Sequence, residues 1–127
     1  MAQVIIEADN TIYSVAISIT DKGQTILSTL ECLVCREFRI TESDFKSNAR
    51  YLPLPRARGT FTRILRSRFD IPLKIIGMYL GGRDHSTILM SEQRSKEFYK
   101  KNERYRATYD LLEKDFQLFL AKNRTYS

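Results

Sequence analysis

Residues 73–89, LKIIGMYLGGRDHSTIL, decide the fold. The apolar segment that follows Pro72 is predicted to form a helix, because proline suits a first turn, and Gly81-Gly82 is predicted to end it. Asp84 is typical of a helix N-cap, so a second helix is predicted from about Asp84 to about Tyr99. Two helices joined by a glycine turn give the outline of a helix-turn-helix.

Polar side chains crowd the first turn of the second predicted helix. His85, Ser86 and Thr87 are expected to be exposed there, and Ile88 begins the buried face. In a helix-turn-helix this turn enters the major groove of DNA, where short polar side chains reach base edges. The interpretation is therefore a base-contacting tip. The alternative for His85 is a structural cap or a buried histidine.

Charge is distributed unevenly along the 127 residues, whose formal net charge is +6. Residues 1–48 hold four Lys and Arg against seven Asp and Glu, whereas residues 49–127 hold seventeen against eight. The density peaks at residues 50–74, where seven basic residues face only Asp70. Such a stretch favours a polyanion such as nucleic acid, although it can also be a solvated face that keeps the protein soluble.

Helical spacing predicts four further helices, near residues 24–37, 42–46, 58–69 and 103–122. Thr41 followed by Asp44 resembles a capping box, and Asn102 can cap the last helix. The apolar residues expected to face inward on the helices at 58–69 and after Pro72 are Phe61, Ile64, Leu65, Leu73, Ile76, Met78 and Leu80. Because proline removes a backbone donor, the segment 48–58 with Pro53 and Pro55 is predicted to be an extended basic loop.

The first segment alternates apolar and polar residues with the period of a strand. This pattern predicts a β-hairpin over roughly residues 3–20. The predicted fold class is thus mostly α: a helical bundle containing a helix-turn-helix, preceded by a short N-terminal β-hairpin. The predicted boundaries are residues 1–22 for the hairpin extension and 23–127 for the helical domain with an extended C-terminal helix.

Several classes of protein are not favoured by the sequence. No apolar run is long enough for a membrane helix, and MAQVIIEADN has no signal-peptide pattern, so a cytoplasmic protein is expected. Cys32 and Cys35 have metal-like spacing, but without a second pair they are expected to be core thiols. No catalytic residues, metal or cofactor are predicted, because carboxylates show no evident pairing.

Three segments in register resemble the carboxy-terminal DNA-binding domain of the bacterial replication initiator DnaA. The family signature, a glycine pair followed by Arg-Asp-His-Thr-Thr and an aliphatic residue, is similar to GGRDHSTIL at 81–89. FRITESDFKSNAR at 38–50 resembles the family's lead-in helix and the start of its basic loop, and LKIIGMYL at 73–80 its first motif helix. The match runs without a gap from Phe38 to Leu89.

The resemblance implies roles for individual residues on double-stranded DNA with DnaA-box-like sites. It implies base contacts in the major groove from Asp84, His85, Ser86 and Thr87, and from Arg50 in the adjacent minor groove. It implies phosphate contacts from Arg58, Arg66, Leu73, Lys74 and Arg83. It also implies a location at the bacterial nucleoid.

Departures from the family put the target sequence in question. Ser86 stands where the family usually has threonine, and Lys74 where proline is common. Arg68 stands where leucine is usual, and Phe69 is expected to take over its packing. The 127 residues contain no GxxxxGK[ST] phosphate loop, so a stand-alone binding protein without the ATPase domain is expected.

Two functions remain open from the sequence. The first is sequence-specific binding to double-stranded DNA, as a regulator of replication initiation or transcription. The second is a protein-interaction module that uses the N-terminal hairpin and has little intrinsic DNA affinity. Self-association through the hairpin or the C-terminal helix is a further expectation.

Overall fold

The computed structural model describes residues 26–122, which form helices joined by short connections. In chain order the helices are α1 (Ile26–Phe38), α2 (Glu42–Phe45), α3 (Leu54–Phe69), α4 (Leu73–Tyr79), α5 (His85–Lys101) and α6 (Glu103–Lys122). Between residues 26 and 122 there is no strand. The mostly α prediction is confirmed for this range, and the hairpin predicted over residues 3–20 lies outside the described residues.

Helix α3 lies at the centre of the bundle and packs against α1, α2, α4 and α5, while α6 closes the bundle against α1 and α5. The largest fully buried side chains are Phe45, Phe61, Phe116, Ile26, Leu27, Leu30, Leu54, Ile64, Leu65 and Ile71. They come from four helices, α1, α2, α3 and α6, and from the α3–α4 connection. Burial of this apolar surface is the main favourable contribution to folding.

The predicted helix-turn-helix is confirmed as α4, a glycine turn and α5. Helix α5 begins one residue after its predicted cap and extends two residues beyond the predicted end. Two other predicted caps are also present: Thr41 Oγ1 accepts from the N–H of Asp44 at 3.0 Å, and Asn102 Oδ1 accepts from the N–H of Tyr105 at 2.8 Å.

The predicted start of α3 at residue 58 is wrong, because the helix begins at Leu54. Pro55 lies in its first turn, where a helix needs no backbone N–H, so the proline does not interrupt it. The extended segment is consequently shorter than predicted. Arg58, which the sequence prediction placed at the boundary between loop and helix, lies in the second turn of α3.

Three residues expected in the core are exposed. Met78 is 54% exposed because it lies two residues beyond the buried Ile76, on another side of a short helix. Leu89, expected beside Ile88 on the buried face, is 36% exposed. Cys32 is exposed and only Cys35 is a core thiol, since Cys32 lies two residues from both Leu30 and Val34.

A buried hydroxyl cluster links the three largest helices. The hydroxyl oxygen of Tyr105 on α6 lies 2.6 Å from Thr60 Oγ1 on α3 and 2.6 Å from Ser95 Oγ on α5. Phe69, at the end of α3, packs edge-on against Phe116 of α6 with ring centroids 6.1 Å apart. These contacts hold α6 against the helices that carry the candidate interface.

Candidate nucleic-acid interface

Close backbone contacts build the turn between α4 and α5. The carbonyl oxygen of Gly77 accepts hydrogen bonds from the N–H groups of Gly82 at 3.0 Å and Arg83 at 2.8 Å. A Cβ atom on Gly77 would lie 2.2 Å from the carbonyl oxygen of Arg83. Gly81 has a φ of 92°, and a Cβ atom there would lie 2.2 Å from the carbonyl oxygen of Lys46. Glycine at these positions therefore fixes where α5 begins.

Asp84 caps α5 as predicted. Its backbone is extended, and its carboxylate accepts hydrogen bonds from the Ser86 N–H at 3.0 Å and from the Ser86 hydroxyl. These hydrogen bonds lower the pKa of Asp84, so the carboxylate stays ionised at neutral pH. An ionised carboxylate at this end of α5 also suits the helix dipole.

The four residues predicted to contact bases in the major groove are exposed together at the start of α5. Asp84, His85, Ser86 and Thr87 are all exposed, whereas Ile88 is 1% exposed and anchors the helix in the core. His85 lies with Nδ1 3.8 Å from Asp84 Oδ1, and its side chain is 70% exposed. The position of His85 is therefore that of a surface group, not of a buried histidine.

Arg58 organises the loop between α2 and α3. It is 4% exposed, and its guanidinium donates to the carbonyl oxygens of four residues: Phe45 at 2.9 Å, Ala49 at 2.8 Å, Asp44 at 2.9 Å and Ser47 at 3.0 Å. Burial, with Arg83 and Arg50 nearby, lowers the pKa of Arg58 to about 10, so it stays charged at neutral pH. Four of its five N–H groups are occupied inside the protein.

Arg83 connects the turn before α5 to the same loop. One Nη2 hydrogen is donated to the carbonyl oxygen of Ser47. Its Nε is buried and has no partner among the described residues. Burial and the neighbouring Arg50 lower the pKa of Arg83. Arg83 therefore holds the turn against the loop, and its Nε is shielded from solvent.

The loop and the first turn of α5 face each other across one cleft of about 250 Å³, the arginine cleft. Its lining residues are Arg50, Pro55, Arg58, Arg83, Ser86, Thr87, Met90, Ser91 and Arg94. Four of them are arginines and three carry hydroxyl groups, so the cleft offers positive charge and hydrogen-bond donors to an anion. The fold thus brings together five of the ten predicted site residues.

Besides Pro55, three lining residues were missed by the sequence prediction: Met90, Ser91 and Arg94. They follow Ser86 and Thr87 at intervals of about one helical turn, so helical spacing continued from the predicted tip would have indicated them. Met90 is 51% exposed and Arg94 is exposed, so α5 carries the candidate surface for two turns.

The remaining predicted residues lie outside that cleft. Lys74 is exposed near the start of α4, and it lines a second, open cavity of about 440 Å³ with Met78, Asp84 and His85. Leu73 precedes it and is half-buried. Arg66 lies on α3, where its Nε is 3.4 Å from a carboxylate oxygen of Glu92 on α5.

Glu92 is 5% exposed, so Arg66 compensates a buried carboxylate in addition to any contact outside the protein. The sequence prediction gave Arg66 a phosphate-facing role only. The ion pair joins α3 to α5 behind the candidate surface, and it helps to fix the orientation of α5.

Other classes of site have little support. Burial raises the pKa of Cys35 to about 12, which makes it an unreactive core thiol. Among residues 26–122 no group of three or more His, Cys, Asp or Glu side chains is placed to hold a metal ion. Within the same range, every helix is too short or too polar to cross a membrane.

Comparison with protein families finds a match to "Bacterial dnaA protein helix-turn-helix" over residues 28–94, which is more than half of the chain. The matched range begins in α1 and ends within α5. It therefore contains the glycine turn, the loop and every residue that lines the arginine cleft.

Individual relatives are similar over about half of the chain. A chromosomal replication initiator protein DnaA from Chlorobaculum tepidum is 36% identical over 66 residues, which are 52% of this chain and 13% of that protein. The protein of the same name from Gloeobacter violaceus is 39% identical over 57 residues, 45% of this chain and 13% of that protein. The match thus spans about an eighth of these relatives. No solved structure matches the chain at a significant level.

Proposed function

The chain belongs to the bacterial DnaA helix-turn-helix family, and we propose that it binds double-stranded DNA sequence-specifically at sites similar to the DnaA box. In the proposed complex the first turn of α5 lies in the major groove. The loop that carries Arg50 lies over the adjacent minor groove. The proposal extends the DNA-binding character of the family to a defined surface of this chain.

The arginine cleft is the observation that supports this proposal most directly. The exposed Arg50 lines this cleft together with Ser86 and Thr87, so the two groups proposed to contact bases share one surface. Arginine in a narrow minor groove is favoured by the strong negative potential of an A·T stretch. Hydroxyl and carboxylate groups at a helix start suit base edges in the major groove.

Each proposed base contact uses the chemistry of its side chain. Asp84, held ionised by its hydrogen bonds, accepts from an amino group such as that of cytosine. His85, Ser86 and Thr87 supply a ring edge and two hydroxyl groups to neighbouring bases. Arg50 inserts into the minor groove.

The proposed phosphate contacts surround these groups, and they are Arg58, Arg66, Leu73, Lys74 and Arg83. Arg83 is half-buried and lines the cleft beside Arg50, and its guanidinium is proposed to contact a phosphate there. Arg58 has one N–H left, on Nη1, so its contribution is a single contact beside its support of the loop. Lys74 extends the surface past His85. Such contacts position the protein and carry no sequence information.

The proposed biological role is regulation of replication initiation or of transcription at such sites. The relatives named above are chromosomal replication initiator proteins, and a domain that occupies the same sites competes with them there. Footprinting of an origin fragment with the initiator and increasing amounts of this protein tests the role. Displacement of the initiator supports it, and simultaneous occupancy of every site contradicts it.

A fluorescence-anisotropy titration tests the binding function itself. One labelled duplex carries a DnaA box and the matched control carries the same bases scrambled, both across a salt series. The specific duplex should bind about a thousandfold more tightly, and both affinities should fall as salt rises. Absence of binding to both duplexes at low salt would contradict the proposal.

A further inference from the structure

A buried carboxylate, Glu31, connects three helices behind the candidate surface. Glu31 lies on α1 and is 3% exposed. Its Oε1 accepts the hydroxyl hydrogen of Tyr79, the last residue of α4, and lies 3.4 Å from Nζ of Lys46, which follows α2. The Lys46 ammonium also lies over the Tyr79 ring, 4.2 Å from its centroid. The three side chains therefore contact one another pairwise.

Because it buries a carboxylate, this cluster is an unfavourable way to stabilise the fold if stability is its only role. Removing a carboxylate from water carries a large penalty, and the second oxygen of Glu31 has no partner in the described part of the chain. Apolar residues of similar volume often stabilise a protein as well as a buried ion pair does. A geometric role, in which the cluster holds one arrangement of the helices, accounts for a polar group at this place.

The neighbours of the cluster show which two segments it holds together: the turn before α5 and the loop that begins after Lys46. Tyr79 is followed at once by the turn that leads to α5, and the carbonyl oxygen of Lys46 is the atom against which Gly81 packs. Ser47, the residue after Lys46, accepts hydrogen bonds from both Arg58 and Arg83. Glu31 therefore connects Lys46, at the start of the loop that carries Arg50, to Tyr79, at the end of α4.

We propose that Glu31 is a positioning residue for base recognition, which fixes the spacing between Arg50 and the first turn of α5 without touching DNA. The inference rests on the proposed function. Base contacts depend on geometry held to about half an ångström, whereas phosphate attraction tolerates small shifts. Loss of Glu31 should consequently weaken binding to the specific duplex and leave binding to the scrambled duplex unchanged.

The experiment compares Glu31→Ala with Glu37→Ala, an exposed glutamate on the same helix, in the anisotropy assay. Glu31→Ala should lower the ratio of specific to scrambled affinity by about tenfold, and Glu37→Ala should leave it unchanged. Glu31→Gln keeps an acceptor for the Tyr79 hydroxyl and should restore part of the ratio. An unchanged ratio in Glu31→Ala, or an equal loss of both affinities, would overturn the inference.

Failure of the proposed function is distinguishable, because it appears already in the wild-type protein as equal affinity for both duplexes. In that case amide hydrogen exchange without DNA decides whether Glu31 positions the turn. Exchange at Gly82 and Arg83 should accelerate by about tenfold in Glu31→Ala, while the Tyr105 amide stays protected. Unchanged exchange at the turn overturns the inference.

If Glu31→Ala does not fold, Tyr79→Phe provides the same two measurements with a smaller change. It removes only the hydroxyl group and keeps the ring against Lys46. The specificity ratio should fall and exchange at Gly82 should accelerate, both by less than in Glu31→Ala. A Tyr79→Phe protein identical to the wild type in both measurements would contradict the proposal.

Discussion

The Nε of Arg58 donates a hydrogen bond to the carbonyl oxygen of Phe45 at 2.9 Å, which joins the second turn of α3 to the end of α2. Three further carbonyl oxygens of the same segment accept from the same guanidinium. The backbone that leads to Arg50 is therefore fixed by one buried cation. In the proposed complex, a loop held in this way meets DNA already ordered, which lowers the entropic cost of binding.

Replacing Arg58 should affect both stability and binding. Arg58→Ala leaves four carbonyl oxygens without their donor, and we expect a loss of about 3 kcal/mol in the free energy of unfolding. The matched control, Arg56→Ala, removes an exposed arginine and should cost less than about 1 kcal/mol. Chemical denaturation measures both. Equal stability of the two variants would contradict the supporting role of Arg58.

The exposed Arg50 should contribute to binding and not to folding. Arg50→Ala should weaken binding to the DnaA-box duplex by about 1–3 kcal/mol, and His85→Ala should do the same. The free energy of unfolding should stay within about 0.5 kcal/mol of wild type. Arg104→Ala, an exposed arginine on α6, is the control for loss of charge and should keep its specificity. Anisotropy and denaturation together check the prediction, and wild-type affinity in Arg50→Ala would contradict it.

Arg94 should contribute equally to the binding affinity for every DNA sequence. It lines the cleft one turn beyond Met90, and we expect it to contact a phosphate in the proposed complex. Arg94→Ala should lower specific and scrambled affinity by the same factor and reduce the salt slope by about one. Lys96→Ala, an exposed lysine two residues away that does not line the cleft, should leave the slope nearly unchanged. A change in the specificity ratio would show that Arg94 contacts bases instead.

The two glycines of the turn should tolerate alanine differently. Gly81 and Gly82 both have positive φ, of 92° and 82°, but only a Cβ on Gly81 meets a backbone atom, the Lys46 carbonyl oxygen. Gly82→Ala should cost about 1 kcal/mol for backbone strain alone. Gly81→Ala should cost more and should also weaken specific DNA binding, because α5 must shift. Thermal denaturation and anisotropy test this difference, and equal costs would mean that the contact with Lys46 yields easily.

The buried hydroxyl of Tyr105 should matter for stability only. Tyr105→Phe leaves Thr60 and Ser95 without that partner, and we expect a loss of about 1–2 kcal/mol with DNA affinity unchanged. Tyr99→Phe is the control, because its hydroxyl donates to Asp110 in an exposed hydrogen bond of 2.8 Å. That variant should lose less than about 0.5 kcal/mol. Chemical denaturation measures both, and a specific loss of DNA affinity in Tyr105→Phe would contradict the prediction.

Local signals in the sequence were sufficient for much of the fold. Apolar spacing, the Thr41, Asp84 and Asn102 caps and the glycine turn predicted the helices because each depends on neighbouring residues. The start of α3 was missed because proline was treated as a breaker, although Pro55 stands in the first turn, where it is tolerated.

The site was predictable where its residues are exposed, and not where polar groups are buried. The exposure of residues 84–87 follows from their position at the start of a helix whose buried face begins at Ile88. The burial of Arg58, Glu31 and Glu92 depends on partners that are distant in sequence: Phe45, Tyr79 and Arg66. Hydropathy assigns charged residues to the surface, so such pairings become visible only in the folded chain.

The unequal environments of the two cysteines have a practical consequence for these experiments. Since the thiolate is the reactive form, maleimide at neutral pH should label the exposed Cys32 and spare Cys35, whose pKa is about 12. Cys32 lies on α1 in a groove beside Phe119 of α6, and it does not line the arginine cleft. The natural sequence thus supplies a single attachment point for a fluorophore or a surface tether, away from the cleft that is proposed to contact DNA.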